Sequence, residues 1–270
     1  MYLDIGAELR RPKIDTHQHI WPKRAGVAAS DAVVMQSKRV GITEIWCSAP
    51  ITTGATASMD EVRYMNNAVM AAMARHPDFI RGMCFVLPGY YREAVAEVER
   101  CLDAGMIGIK LYNQYKIWDP TIWPIMELAC ERHVPILVHA GHGTPEIIKE
   151  QPLSSDGADI ARASQRFPEV MLINAHIGGG GDLEWSLRAL RDASPSVYID
   201  IIGSNLDSGQ VEMAIDELGI KRVLFATDET IEGCVGKVLG ARLTAADKEQ
   251  IFWKNAAGIL AAQQLKPLAI

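Results

Sequence analysis

The chain of 270 residues has no run of apolar residues long enough to span a bilayer, which takes about 18 or more in succession. A membrane role is therefore not expected. It also lacks a lysine- or arginine-rich run, and basic residues do not interleave with aromatics anywhere. With 27 basic and 33 acidic residues giving a net charge of −6, nucleic acid is not expected as the main partner. Cysteines are few and odd in number: Cys47, Cys84, Cys101, Cys130 and Cys234, with no C-x-x-C pair. That pattern excludes a disulfide framework and suits free thiols in a reducing compartment. The first thirteen residues carry no apolar signal-peptide core, so a cytoplasmic location is the expectation. No Pro/Gly/Ser-rich linker or low-complexity segment divides the chain, which is read as one domain over residues 1–270.

What is present is an alternation. Short apolar runs, rich in β-branched residues, alternate with longer amphipathic stretches. The runs are Lys13–Ile20, Ile42–Ser48, Ile80–Leu87, Ile107–Tyr112, Val134–Ala140, Val170–Ile177, Val197–Ile202 and Arg222–Asp228. Helices are predicted over Asp31–Arg39, Met59–Arg75, Tyr91–Ala104, Thr121–Glu131, Gly157–Arg166, Leu183–Arg191, Gln210–Leu218 and Leu243–Leu260. Strands that are apolar on both faces and separated by helices imply a parallel sheet. Eight such units at this length imply a (β/α)8 TIM barrel of class α/β. A doubly wound open sheet is the alternative, but the glycine-rich phosphate turn that usually follows one of its early strands is missing. The loop Ala49–Ser58, rich in Thr, Gly, Ala and Ser, reads as mobile.

In a parallel barrel, chemistry sits at the C-terminal ends of the strands. Metal-capable residues gather there. His17 and His19 close the first run, two residues apart and so on one face of a strand. Lys110 lies in the fourth run, His139 ends the fifth, His176 the sixth and Asp228 the eighth. His142 falls just beyond the fifth, in a Gly-His-Gly turn where substrate contact is the better expectation. Only His76 and His133, of seven histidines, lie away from strand ends. Neutral imidazoles with a carboxylate are a suitable donor set for zinc. Taken alone, Lys110 reads equally as a side chain reaching out from a strand end. Arg63, Tyr112, Asn113, Tyr115 and Trp118 are substrate-pocket candidates by loop position only. Trp21, Trp118 and Trp123 could pack between subunits of a homo-oligomer.

These motifs occur in a familiar order. Asp-Thr-His17-Gln-His19, Gly-Ile-Lys110-Leu, Leu-Val-His139-Ala-Gly, Asn-Ala-His176-Ile-Gly-Gly and Leu-Phe-Ala-Thr-Asp228 resemble those of the amidohydrolase superfamily. The likeness is narrower to its amidohydrolase-related ("amidohydrolase 2") branch of TIM-barrel metal-dependent hydrolases and decarboxylases. Trp253-Lys254-Asn255-Ala256-Ala257 is similar to that branch's last helix. The resemblance implies one divalent ion, zinc first and manganese second, held by His17, His19, His139 and Asp228. It implies a catalytic or supporting role for His176. In binuclear members a carboxylated lysine matching Lys110 bridges two ions; here Lys110 is expected to bind a substrate anion instead. The chain departs from the pattern in reading Ala-Thr-Asp where relatives commonly have Gly-Ser-Asp or Gly-Thr-Asp. Large pocket-shaping insertions also look absent, which favours a simple hydrolase.

The expected reaction is hydrolysis of a C–O or C–N bond, in a lactone or amide of a small carboxylate-type compound. A metal-activated water would attack, since coordination lowers the pKa of water toward about 7. Asp228 would move the proton and His176 would steady the oxyanion. Three alternatives stay open: non-oxidative decarboxylation of a small aromatic or unsaturated acid at the same site, a Schiff-base aldolase on Lys110, and a metal-bound barrel that only binds.

Overall fold

The computed structural model describes residues 4–25, 28–52, 57–141, 145–177, 183–202 and 206–269. Its eight strands are all parallel and neighbour one another in sequence order. They are β1 (Lys13–His19), β2 (Ile42–Ser48), β3 (Ile80–Phe85), β4 (Gly108–Leu111), β5 (Ile136–Val138), β6 (Leu172–Asn174), β7 (Val197–Asp200) and β8 (Val223–Leu224). The sheet curls back on itself. Thr16 N donates to Phe225 O at 3.1 Å and Asp228 N to His17 O at 2.8 Å, joining β1 to the segment after β8. The result is a (β/α)8 barrel in a single domain.

Both faces of each strand are buried, for two different reasons. Ile14, Trp46, Met83, Leu137, Ile173 and Leu224 form an inner cluster with Ala256, Ile259 and Leu260 of the last helix. Ile45, Ile109, Ile136, Val138, Leu172 and Ile199 pack outward on the helices. This two-sided burial is why the runs read as continuous apolar stretches. β2 matches its predicted run and the other strands come out shorter than theirs; β8 keeps two residues, with Phe225 and Ala226 buried beyond the ladder.

Helix boundaries follow local chemistry. The helix Met59–Arg75 starts in a capping box, with Glu61 N on Ser58 Oγ and Ser58 N on Glu61 Oε2. The predicted helix Leu243–Leu260 is instead broken. Thr244 and Asp247 cap a short helix Ala245–Glu249, a wider turn spans Gln250–Lys254, and Asn255–Ala262 continues. Asn255 marks the break: its Nδ2 leaves the helix to donate to Ile220 O and Val223 O. The helix Ile231–Gly240 lies outside the predicted set; it carries Gly233, Gly236 and Gly240, which are weak helix formers. The loop 49–58 falls partly outside the described residues. Among the described residues no helix is long and apolar enough to cross a membrane, and all five cysteines are unpaired.

Candidate metal centre

The C-terminal end of β1 shifts register against β2 between Asp15 and Gln18, the kind of irregularity that re-aims side chains beside a site. A buried polar lattice holds this end in place. Asp15 Oδ1 accepts from His17 N at 3.1 Å and Thr227 N at 3.0 Å, and Asp15 Oδ2 from Thr227 Oγ1 at 2.5 Å. Gln18 Nε2 donates to Thr227 Oγ1 while Gln18 Oε1 accepts from His19 N. β1 is thereby laced to the residue preceding Asp228. Burial pushes the Asp15 carboxyl up to about 7 despite these donors.

The lattice brings three side chains of the predicted set into one group. His17, His176 and Asp228 each offer a ligand atom within 4.8 Å of the others and can hold a metal ion. His19 adjoins them, its Nε2 3.1 Å from His17 Nε2 and 3.2 Å from Asp228 Oδ1. His139 reaches the group through His176, ring edge to ring face at 4.6 Å. Lys110 Nζ lies 2.8 Å from His17 Nε2. Tyr112 stacks on His139 at 4.0 Å between ring centroids.

Other predicted residues are placed elsewhere. Arg63 faces Asp60 at 3.3 Å and Glu97 at 3.8 Å on the outer helices. Trp118 donates from Nε1 to Asp159 and lies under the Arg162 guanidinium at 3.9 Å, against the helix Gly157–Arg166. Trp123 stacks likewise under Arg166. Loop position brought Arg63 and Trp118 into consideration for the pocket, but it does not set where a side chain points. His142 lies outside the described residues.

Electrostatics at the centre fit a cation. Burial pushes the imidazoles of His17, His19 and His139 below their ordinary range, which favours the uncharged form that binds metal. Burial also works against the Asp228 carboxylate, but His17, His176 and His19 outweigh it and hold Asp228 ionised. Two polar atoms are left over. Among the described residues, buried His139 Nδ1 has no hydrogen-bond partner, and neither has His176 Nε2, which lies 3.3 Å from Asp228 Oδ2. Buried polar atoms without partners are uncommon and call for an explanation; a divalent ion among neutral imidazoles and a carboxylate supplies one.

The backbone is strained at the same place. His176, Asp228 and Glu229 all have positive φ, at 68°, 39° and 71°, a conformation that non-glycine residues adopt at a cost and mostly at functional sites. The strain at His176 is held by a residue absent from the predicted set. Asp200, at the end of β7, accepts from His176 N at 2.8 Å and Ile202 N at 3.3 Å on Oδ1. His17 Nδ1 meets its Oδ2 at 2.9 Å. Asp200 lies inside the predicted apolar run Val197–Ile202, followed by Ile201 and Ile202, so a search of run ends passes over it.

A family model described as "Amidohydrolase" matches residues 14–261. The chain belongs to the amidohydrolase family. Solved structures of this amidohydrolase's fold include 2,6-dihydroxybenzoate decarboxylase from Rhizobium, at 16% identity, TM-score 0.74, covering 92% of this chain and 98% of that one. A dihydroxybenzoic acid decarboxylase from Polaromonas sp. JS666, solved with manganese and 2-nitroresorcinol, is 19% identical with TM-score 0.72 over 92% and 96%. The 4-oxalomesaconate hydratase from Rhodopseudomonas palustris is 16% identical with TM-score 0.71 over 93% and 96%. At these identities the likeness is one of fold. Among curated proteins none matches the chain in sequence. The family and the donor cluster together make this an enzyme whose centre accommodates a divalent metal.

Proposed function

We propose that this amidohydrolase is a metal-dependent decarboxylase of a small, planar carboxylic acid. The observation that carries the reading is Lys110: an ammonium side chain with no exposed surface, set against the histidine cluster at the end of β4. A buried cation there suits an anionic group on the substrate. Beside it Tyr112 stacks on His139, an aromatic wall that suits an unsaturated or aromatic ring. The decarboxylases among the fold relatives add weight to the same choice.

His17, His19, His176 and Asp228 would hold the ion, with His139 beside them; zinc and manganese both match the donor set. When bound, the ion supplies Lewis acidity to substrate oxygens. The chain's own residues do the rest. Lys110 Nζ binds and orients the carboxylate. The Tyr112–His139 stack would form one wall of the site. As CO2 leaves, the carbon must gain a proton. Asp228, ionised at rest and partly open to solvent, would take that proton from solvent and deliver it to the carbon, while His176 helps hold the ion.

Hydrolysis of a lactone or amide is the second reading. The ionised Asp228 favours it, because a carboxylate in that state can take a proton from an attacking water. Manganese- or zinc-loaded protein offered a panel of hydroxybenzoates, unsaturated acids, lactones and amides separates the two. Release of CO2 from an acid supports the first reading; ring opening or amide cleavage with no CO2 from any acid overturns it in favour of the second.

A further inference from the structure

We propose that Asp200 is the positioning residue that decides which nitrogen of His17 faces the metal pocket. The inference rests on the metal reading above but concerns a residue that would not touch the ion. The Asp200 side chain is fully buried, and its two oxygens have different partners. Oδ1 is committed to two backbone donors, His176 N at 2.8 Å and Ile202 N at 3.3 Å. Oδ2 is left for His17 Nδ1 at 2.9 Å. An ionised carboxylate only accepts, so the His17 proton belongs on Nδ1. With the proton on Nδ1, His17 Nε2 is left with its lone pair, facing the pocket. That lone pair is the one beside His19 Nε2 and Asp228.

One carboxylate thus fixes the tautomer of His17 and the strained backbone of His176, two of the three groups that meet at the centre. Carboxylate–imidazole pairs of this kind orient metal-binding histidines generally. The arrangement predicts an unusual outcome for Asp200→Asn, which changes shape hardly at all. The two backbone N–H groups require an oxygen, so the amide oxygen must face them. The amide NH2 then faces His17 Nδ1, which must accept. The ring proton moves to Nε2 and covers the lone pair.

The test uses the full chain, metal-free and then with Mn2+. Long-range 1H–15N correlation reads the His17 tautomer, its resonances identified by their loss in His17→Gln. The wild type is expected to show a protonated Nδ1 and a bare Nε2, and Asp200→Asn the reverse. Equilibrium dialysis is expected to show Mn2+ affinity falling on the order of 10- to 100-fold in Asp200→Asn, with circular dichroism unchanged. A wild type with the proton on Nε2 overturns the proposal, whether or not the variant folds. So does an Asp200→Asn chain with the wild-type tautomer, or one that binds Mn2+ within about twofold of wild type. A wild type that takes up no Mn2+ sinks the metal reading instead, and the tautomer pair then judges Asp200 alone.

Discussion

The two ends of the barrel each bury a lysine, and they treat it differently. Lys13, at the start of β1, and Lys110, at the end of β4, are both sealed from solvent, and burial pushes both down to about 8. At the N-terminal end the charge is saturated. Lys13 Nζ donates to Glu8 O at 2.9 Å and Arg11 O at 2.7 Å and sits over the Phe252 ring. Buried Glu44 nearby is equally occupied, accepting from Trp46 Nε1, Arg81 Nε and Leu268 N. At the C-terminal end, among the described residues, Lys110 Nζ has His17 Nε2 at 2.8 Å and the Tyr112 ring at 5.8 Å, and the neighbouring His139 Nδ1 and His176 Nε2 have no hydrogen-bond partner. Solvent also reaches this end: the side chains of His176 and Asp228 keep 14% and 25% of their exposure. Burial and a shifted pKa therefore do not mark a site by themselves. Single partnerless atoms such as Ser37 Oγ and Gln263 Nε2 occur elsewhere too; what distinguishes this end is unspent capacity gathered on several metal-capable side chains.

Substitutions at the two ends should separate function from stability. The largest effect is expected for Asp228→Asn, which removes the proton acceptor and should lower kcat by about 10²- to 10⁴-fold with little change in melting temperature. A loss of folding instead would make the top end structural too. Next is Glu44→Ala at the base. Stripping a buried acceptor from Arg81, Trp46 and Leu268 should cost about 3–5 kcal/mol in denaturant unfolding, with activity per folded molecule unchanged.

The lysine pair gives the direct contrast. Lys110→Met should raise KM for an anionic substrate roughly 10- to 100-fold, the worth of a charge-assisted bond, without destabilising the barrel. Lys13→Met should leave KM alone and lower stability, since it removes the donor from two backbone carbonyls. The smallest effect is one of pH. The Lys110 ammonium is present below about 8 and lost above it, so KM for an anion should be flat below that point and climb beyond it. A flat KM through pH 9 would remove Lys110 from substrate binding.

Much of this was readable before any coordinates. The eight strands declared themselves because each is apolar on both faces, and the histidines and Asp228 because polar residues at strand ends break that pattern. What escaped notice had physical reasons. Asp200 sits inside an apolar run, and its importance comes from partners 24 and 183 residues away. Trp118 and Arg63 were grouped with the pocket by loop position, yet the first lies under Arg162 and the second faces acidic residues on the outer helices. The break at Gln250–Lys254 depends on Asn255 finding carbonyls of another segment, a tertiary contact that helical periodicity does not contain.

The central claim, that the unspent donors at the C-terminal end exist to hold an ion, is tested most directly by metal stoichiometry. The full chain, purified without chelators and analysed by elemental mass spectrometry, is predicted to carry one divalent ion per chain. The ion and turnover should disappear together in His17→Ala and persist together in Glu44→Ala. No bound metal, or metal retained in His17→Ala, would contradict the account. Two ions bridged by a carboxylated Lys110 would contradict the role given to that lysine.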